Sequence, residues 1–211
     1  MIKNNGYEVL IKLEDLETVI YNMINNINDC KPIMIDQIVK RALYKVENID
    51  ASGGNQIRWI RIMEGDIECS GETRCTITYK DKKKDMSGED YALLKAENFV
   101  DATHLFDLLN YERTSYQENK RTKFVCVLDK IKYIVRFDIW PKIEDVVFVT
   151  VNVASSANKD DIEGFIAALE LNQFDIDDNE MVDVDNEYQK RFGKPASLIP
   201  EVTFEFDLDL V

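Results

Sequence analysis

Between Lys132 and Trp140 the residues alternate without a break. Lys132, Ile134, Arg136 and Asp138 fall on one side of an extended chain, and Tyr133, Val135, Phe137 and Ile139 on the other. A period of two fits a β-strand with one packed face and one polar face, and does not fit a helix. The pattern recurs along the chain. Glu8, Leu10 and Lys12 alternate with Tyr7, Val9 and Ile11, and Thr76, Thr78 and Lys80 with Cys75, Ile77 and Tyr79. Arg121 and Lys123 share a face, as do Lys95 and Glu97, while Thr150 and Asn152 oppose Val147, Val149, Val151 and Val153.

These strands are separated by helical patterns. Tyr7–Leu13 reads as a strand, and after Asp15 the residues Leu16, Val19, Ile20, Met23, Ile24 and Ile27 follow one helix face. Met34–Val46 fits either a short helix or a strand, and Ser52-Gly53-Gly54-Asn55 reads as a turn. Strands are predicted at Ile57–Met63 and Thr73–Lys80, joined by the polar turn Glu64–Glu72. The charged loop Asp81–Asp90 and a strand over Ala92–Val100 follow. Asp101 is the expected N-cap of a helix carrying Leu105, Leu108 and Leu109. Three more strands are expected at Lys120–Leu128, Lys132–Trp140 and Val146–Ala154, then a helix over Asp160–Leu171. An acidic connector, Asp175–Glu187, leads to a short helix near Tyr188–Phe192 and a last strand, Val202–Leu208. The order predicts an α+β fold with a mostly antiparallel sheet rather than an alternating βαβ chain. A strand–helix–strand unit near Tyr7 recurs weakly near Ala92.

The 211 residues carry a formal charge of −14, which argues against a broad nucleic-acid or anionic-membrane surface. The charge is local. Asn158–Val211 holds fifteen acids and four bases, whereas the preceding residues hold 25 acids and 22 bases. The polar strand faces have the opposite bias. Lys12, Arg61, Lys80, Lys95, Arg121, Lys123, Lys132 and Arg136 stand against only Glu8, Glu97 and Asp138. Any one such face is ordinary for a sheet wetted on one side, but the shared sign is not. If the faces converge inside a closed sheet, a multiply charged anion is needed to neutralise them, and polyphosphate is the obvious class. A few carboxylates among the bases suit Mg²⁺ or Mn²⁺ bridging phosphate oxygens.

Other chemistries find little support. Cys30, Cys69, Cys75 and Cys126 form no CxxC, so a zinc site is not expected, and four scattered thiols fit a reducing cytoplasm better than a disulfide framework. His104, the one histidine, lies on an amphipathic helix and reads as a surface or half-buried side chain. No GxGxxG or Walker-type loop occurs, no apolar stretch is long enough to span a membrane, and the polar Met1–Gly6 is unlike a signal peptide.

The order of these elements resembles the CYTH superfamily of triphosphate tunnel metalloenzymes, which includes class IV adenylate cyclases, thiamine triphosphatases and inorganic triphosphatases. Glu8-Val9-Leu10-Ile11-Lys12 resembles the family's ExExK strand, with Leu10 at the second acid. Arg61-Ile62-Met63 is similar to its RxR strand, one arginine short, with Arg58 nearby. Ile77-Thr78-Tyr79-Lys80 resembles LTxK, and Lys95-Ala96-Glu97 the basic–acidic pair before the second helix. Lys120–Phe124 and Arg136-Phe137-Asp138 resemble the later basic strand and the strand ending in an aspartate. Phe148-Val149-Thr150-Val151-Asn152 departs from the family, since Thr150 and Asn152 replace metal carboxylates.

The resemblance implies an eight-stranded antiparallel β-barrel, a tunnel with helices packed outside. A tunnel domain spans residues 1–171, and an acidic extension, 172–211, packs on or completes it. It implies phosphate ligation by Lys12, Arg61, Lys80, Lys95, Arg121, Lys123, Lys132 and Arg136, and Mg²⁺ or Mn²⁺ held weakly by Glu8, Glu97 and Asp138. The expected partner is a small triphosphate: a nucleotide, thiamine triphosphate or an inorganic chain. Metal-dependent hydrolysis or class IV cyclase chemistry is one expected function, and a binding module with a degraded metal site is the alternative. The expected location is cytoplasmic. The oligomeric state, a homodimer included, stays open.

Overall fold

The computed structural model describes residues 2–3, 6–46, 57–67, 75–82, 89–153, 158–174 and 182–205. The strands are β1 (Ile2–Lys3), β2 (Gly6–Lys12), β3 (Asp29–Lys45), β4 (Ile57–Glu64), β5 (Cys75–Lys82), β6 (Glu89–Ala96), β7 (Arg113–Leu128), β8 (Ile131–Ile139), β9 (Val146–Val153) and β10 (Glu201–Val202). The helices are α1 (Leu16–Asn26), α2 (Phe99–Leu108), α3 (Lys159–Ala168) and α4 (Val184–Phe192). The fold is α+β with an antiparallel sheet, as the sequence predicts. Its hydrogen-bonded order is β1-β2-β9-β8-β7-β3-β4-β5-β6, with β10 parallel beside β7. Among the described residues this ladder ends at β1 and β6 and is not closed into a ring by hydrogen bonds.

The chain divides into two compact units, Met1–Gln37 with Asn119–Gly193 and Ile38–Glu118 with Lys194–Val211. In the first, the alternating strands turn Tyr7, Val9, Ile11, Tyr133, Val135, Phe137, Val147, Val149 and Val151 into one buried cluster. Val19 and Met23 of α1 and Ile162, Phe165 and Ile166 of α3 complete it. Each fully buried apolar side chain contributes about 1.5–3 kcal/mol. Phe165 stacks on Tyr133 with ring centroids 3.9 Å apart. A capping box between Asn158 and Asp161 starts α3, and the Tyr133 hydroxyl donates to the Asp161 carbonyl oxygen in its first turn. Gly6 allows β2 to approach β9, because a Cβ there would lie 2.7 Å from the Val151 carbonyl oxygen.

The second unit repeats the principle. Ala42, Tyr44, Ile60, Ile62 and Cys75 form the packed side of β3, β4 and β5, covered by Phe99 and Ala102 of α2. The Tyr44 hydroxyl donates to the Thr103 carbonyl. Burial and the neighbouring Asp107 raise the Tyr44 pKa to about 12.

Of the two readings open for Met34–Val46, the strand holds through Lys45, where the 17-residue β3 ends, and Val46 lies just beyond it. The alternation of β3 is interrupted at Asp36, whose φ of 46° breaks the pleat, and the Thr122 hydroxyl oxygen accepts the Asp36 N–H. Several other sequence expectations are corrected. β7 starts at Arg113 rather than Lys120, because buried Ser115, Gln117 and Asn119 give its first half no apolar signature. The N-cap of α2 is Asn98, not Asp101: Asn98 is extended and its side chain accepts the Asp101 N–H. Accordingly β6 ends at Ala96, so Glu97 lies beyond the strand that carries Lys95. Cys30 and Cys126 are joined as a disulfide, against the expectation of unbridged thiols. Within α1, Ile24 is exposed rather than packed.

His104 is exposed on α2, as expected for a surface side chain. The Ser52–Asn55 turn, the Arg58 side chain, and parts of the Glu64–Glu72 turn, the Asp81–Asp90 loop, the Asp175–Glu187 connector and the Val202–Leu208 strand lie outside the described residues.

Replacing Phe165 by Ala should cost about 3–5 kcal/mol in urea-unfolding free energy, because it empties a fully buried site against Tyr133. A second, smaller term comes from α4, where Arg191 donates to both Asp145 and Glu187. The Arg191 hydrogen bond holds the Asp145 carboxyl below its usual range. A depressed carboxyl stabilises the fold above the unfolded value of about 3.9 and loses that contribution as pH falls through the folded one. Asp145 is mostly exposed, so Arg191→Ala should cost less than about 1 kcal/mol at neutral pH. Urea titrations should show the difference shrinking below about pH 4.

Candidate functional site

On the face of the first unit opposite its apolar cluster, strand register sets the site. Glu8 of β2 stands opposite Thr150 of β9, Thr150 opposite Arg136 of β8, and Arg136 opposite Lys123 of β7. Direct cross-strand neighbours have Cβ atoms about 4.5–5.5 Å apart, so these four groups form one continuous row. Two of them are like charges placed side by side, an arrangement that destabilises a sheet and favours an anion between or above them. Lys123 is only 6% exposed, which strengthens that field by keeping water away.

The next row holds Leu10, Phe148, Asp138 and Arg121. Arg121 and Asp138 are 3% and 7% exposed and form a two-pronged pair, Nε to Oδ1 at 2.6 Å and Nη2 to Oδ2 at 2.7 Å. Asn119 adds its Nδ2 donor to Asp138 Oδ1 at 2.8 Å. Two residues read from the sequence with separate roles, one for phosphate and one for metal, thus hold each other. Lys12 and Lys132 lie further along the same strands. The Lys12 ammonium is exposed and pairs with Glu14 at 3.2 Å, and Lys132 is half-buried opposite Val127.

The second unit carries its own basic face. Arg61 of β4 stands opposite Thr78 of β5, and Lys80 of β5 opposite Trp59 of β4. The Arg61 guanidinium carbon lies 5.6 Å and the Lys80 ammonium 5.2 Å from the Trp59 ring centre, within the range of cation–π attraction. Arg41 of β3 continues this face opposite Met63. Lys95 lies opposite Thr76 and is exposed, and Glu97 is exposed beyond the strand. Sequence reading passed over Arg41, Trp59 and Asn119. The alternation of Arg41, Leu43 and Lys45 with Ala42, Tyr44 and Val46 carries the signal for the first. Trp59 shares the parity of Arg61, which is the signal for the second. Cys75 faces the apolar side, and burial with the nearby Glu64 raises its pKa to about 11, so it is no nucleophile at neutral pH.

Mg²⁺ asks for one or two carboxylates with room left for phosphate oxygens. The donor set here fits that poorly. Both Asp138 oxygens already accept hydrogen bonds, and Leu10, Thr150 and Asn152 offer no charge on the strands beside Glu8. Among the described residues no three Asp, Glu, His or Cys side chains gather.

The sequence matches no protein-family model and no curated protein. Among solved structures it is similar to a proposed adenylate cyclase from Vibrio parahaemolyticus, at 10% identity and a TM-score of 0.55, covering 88% of this chain and 98% of that one. It is also similar to the PH1012 and PH1819 proteins of Pyrococcus horikoshii OT3. PH1012 shares 14% identity with a TM-score of 0.48, covering 79% of this chain and 89% of that one. PH1819 shares 16% identity with a TM-score of 0.43, covering 80% of this chain and 86% of that one. The Vibrio likeness shows that the two chains share a fold. No helix among the described residues is long and apolar enough to cross a membrane.

The buried pair yields a sharp expectation. Asp138→Leu alone strands a buried guanidinium and should cost about 3–5 kcal/mol. Adding Arg121→Leu should recover much of that loss, as read by urea unfolding of the two single variants and the double.

Proposed function

We propose that this chain is a divergent CYTH-superfamily protein that binds a triphosphate-containing small molecule through its basic strand faces. The observation that carries the reading is the Glu8–Thr150–Arg136–Lys123 row, in which adjacent cations on a rigid sheet present donors to phosphate oxygens. Arg61 and Lys80, held over Trp59, supply similar donors in the second unit. In either unit the groups sit on strands rather than loops, so a bound chain would meet donors already in place.

Of the two functions weighed from the sequence, binding without turnover has the better support. The metal carboxylates of the family are replaced at Leu10, Thr150 and Asn152, and Asp138 is engaged with Arg121 and Asn119. The hydrolase or cyclase reading retains Glu8 and the basic positions, and Mg²⁺ brought by the substrate's own phosphates would polarise the phosphoryl group.

Calorimetric titration with tripolyphosphate, ATP and thiamine triphosphate, in EDTA and then in Mg²⁺ or Mn²⁺, tests this. Arg136→Ala and Lys80→Ala should each weaken binding by roughly 30-fold, the equivalent of about 2 kcal/mol for a lost charge-assisted hydrogen bond. Wild-type protein that binds none of the three compounds refutes the reading. Release of phosphate or formation of cyclic nucleotide would move the assignment from binder to enzyme.

A further inference from the structure

The first half of β3 has little of its own to hold it in place. From Asp29 to Gln37 only Met34 is buried, and Ile35, Asp36 and Gln37 are all exposed. Pro32 has no N–H to give to a ladder, and the positive φ at Asp36 breaks the pleat. One neighbour in the sheet is β7. The other, β4, pairs with β3 only from Lys40 to Lys45 among the described residues. A segment with so few apolar contacts opens locally at low cost unless side chains tie it down.

Side chains tie it to β7 at both ends. At one end the Thr122 hydroxyl accepts the Asp36 N–H at 3.1 Å and donates to the Asp36 carboxylate at 3.2 Å. At the other, Cys30 is bonded to Cys126, with the two Cα atoms 4.0 Å apart. These ties meet β7 at Thr122 and Cys126, on either side of Lys123, which stands opposite Arg136 across the β7–β8 ladder. From the β3 side they therefore hold the stretch of backbone that sets Lys123 beside Arg136. The two sulfurs differ in access. Cys126 is fully buried within the apolar cluster, whereas Cys30 is half-buried against it, between exposed Asp29 and Lys31.

We propose that the Cys30–Cys126 bond is a reversible redox staple, whose opening by a dithiol frees the first half of β3 and weakens anion binding at the Lys123–Arg136 row. The second clause rests on the function proposed above. Access selects the sulfur that is attacked. A thiolate of the dithiol bonds to the Cys30 sulfur, the S–S bond breaks, and Cys126 leaves as a thiolate that takes up a proton. The second thiol of the reductant then closes on the first and releases Cys30 as a thiol. Two electrons and two protons pass to the protein, and the dithiol becomes a disulfide. An oxidised dithiol restores the bond by the reverse exchange. With the staple open, the segment depends on the exposed Asp36–Thr122 contact, with which water competes.

Protein isolated without reductant should yield a Cys30–Cys126 cross-linked peptide on non-reducing digestion, and folded protein treated with dithiothreitol should lose it. Hydrogen exchange read by mass spectrometry should then quicken at least about tenfold over residues 31–37, with α3 unchanged. Calorimetric titration with tripolyphosphate should give an affinity about fivefold weaker after reduction. Cys30→Ser should behave as the reduced protein with or without dithiothreitol, and Cys75→Ser should respond as wild type does. A bond that does not form, that resists dithiothreitol until the chain unfolds, or that opens without faster exchange at residues 31–37 overturns the proposal. Equal affinity in the two states overturns its second clause. Tripolyphosphate bound by neither state overturns the function proposed above together with that clause, and the peptide and exchange readings then decide the staple by themselves.

Discussion

In the first unit one face of four neighbouring strands must meet α1 and α3, and everything else follows from that parity. Tyr133, Val135 and Phe137 can reach Phe165 only if Ile134, Arg136 and Asp138 point the other way. A slip of one residue in β8 would bury Arg136 and expose Phe137, at a cost no single helix contact could offset. The helices outside therefore align the bases on the other side. Position is delivered by the apolar cluster, whose residues alternate along the same strands with those of the basic row.

The basic row is held under electrostatic stress that the fold relieves unevenly. Arg121 has a two-pronged partner in Asp138, and Asn119 donates a third hydrogen bond to the same carboxylate. Such a pair fixes geometry more than it adds stability, since desolvation offsets most of its attraction. One row along, Lys123 and Arg136 stand side by side instead. The Arg121–Asp138 row is braced by its own ion pair, and the Lys123–Arg136 row sets two cations side by side. The family resemblance does not distinguish them, because it matches motifs by position and both rows carry the expected residue types.

Legibility followed periodicity closely. β2, β8 and β9 keep one wholly apolar face, and although Leu10, Ile134 and Phe148 interrupt the other, their parity was readable from residue order alone. β3 was not readable, because the positive φ at Asp36 shifts the phase halfway along and a period of two no longer holds across the break. The first half of β7 failed for another reason: its buried positions are Ser115, Gln117 and Asn119, which hydrogen bonding rather than apolarity makes tolerable inside. The basic positions were visible for the same reason as the strands. That Asp138 belongs to Arg121 was not visible, since the two are 17 residues apart and meet only through the β7–β8 register. The Cys30–Cys126 bond, 96 residues apart in sequence, was hidden in the same way.

The same parity that arranges the basic groups also shapes the edge at β6. There the odd positions continue the polar side of the sheet and the even positions continue the side packed by α2, so Leu93 and Leu94 are exposed for different reasons. Leu94 lies on the apolar side at the last strand of the ladder, where among the described residues no further strand flanks it. Leu93 shares its face with Trp59, Met63 and Leu43 as well as with threonine, lysine and arginine, so the polar side of this unit mixes apolar surface with its cations.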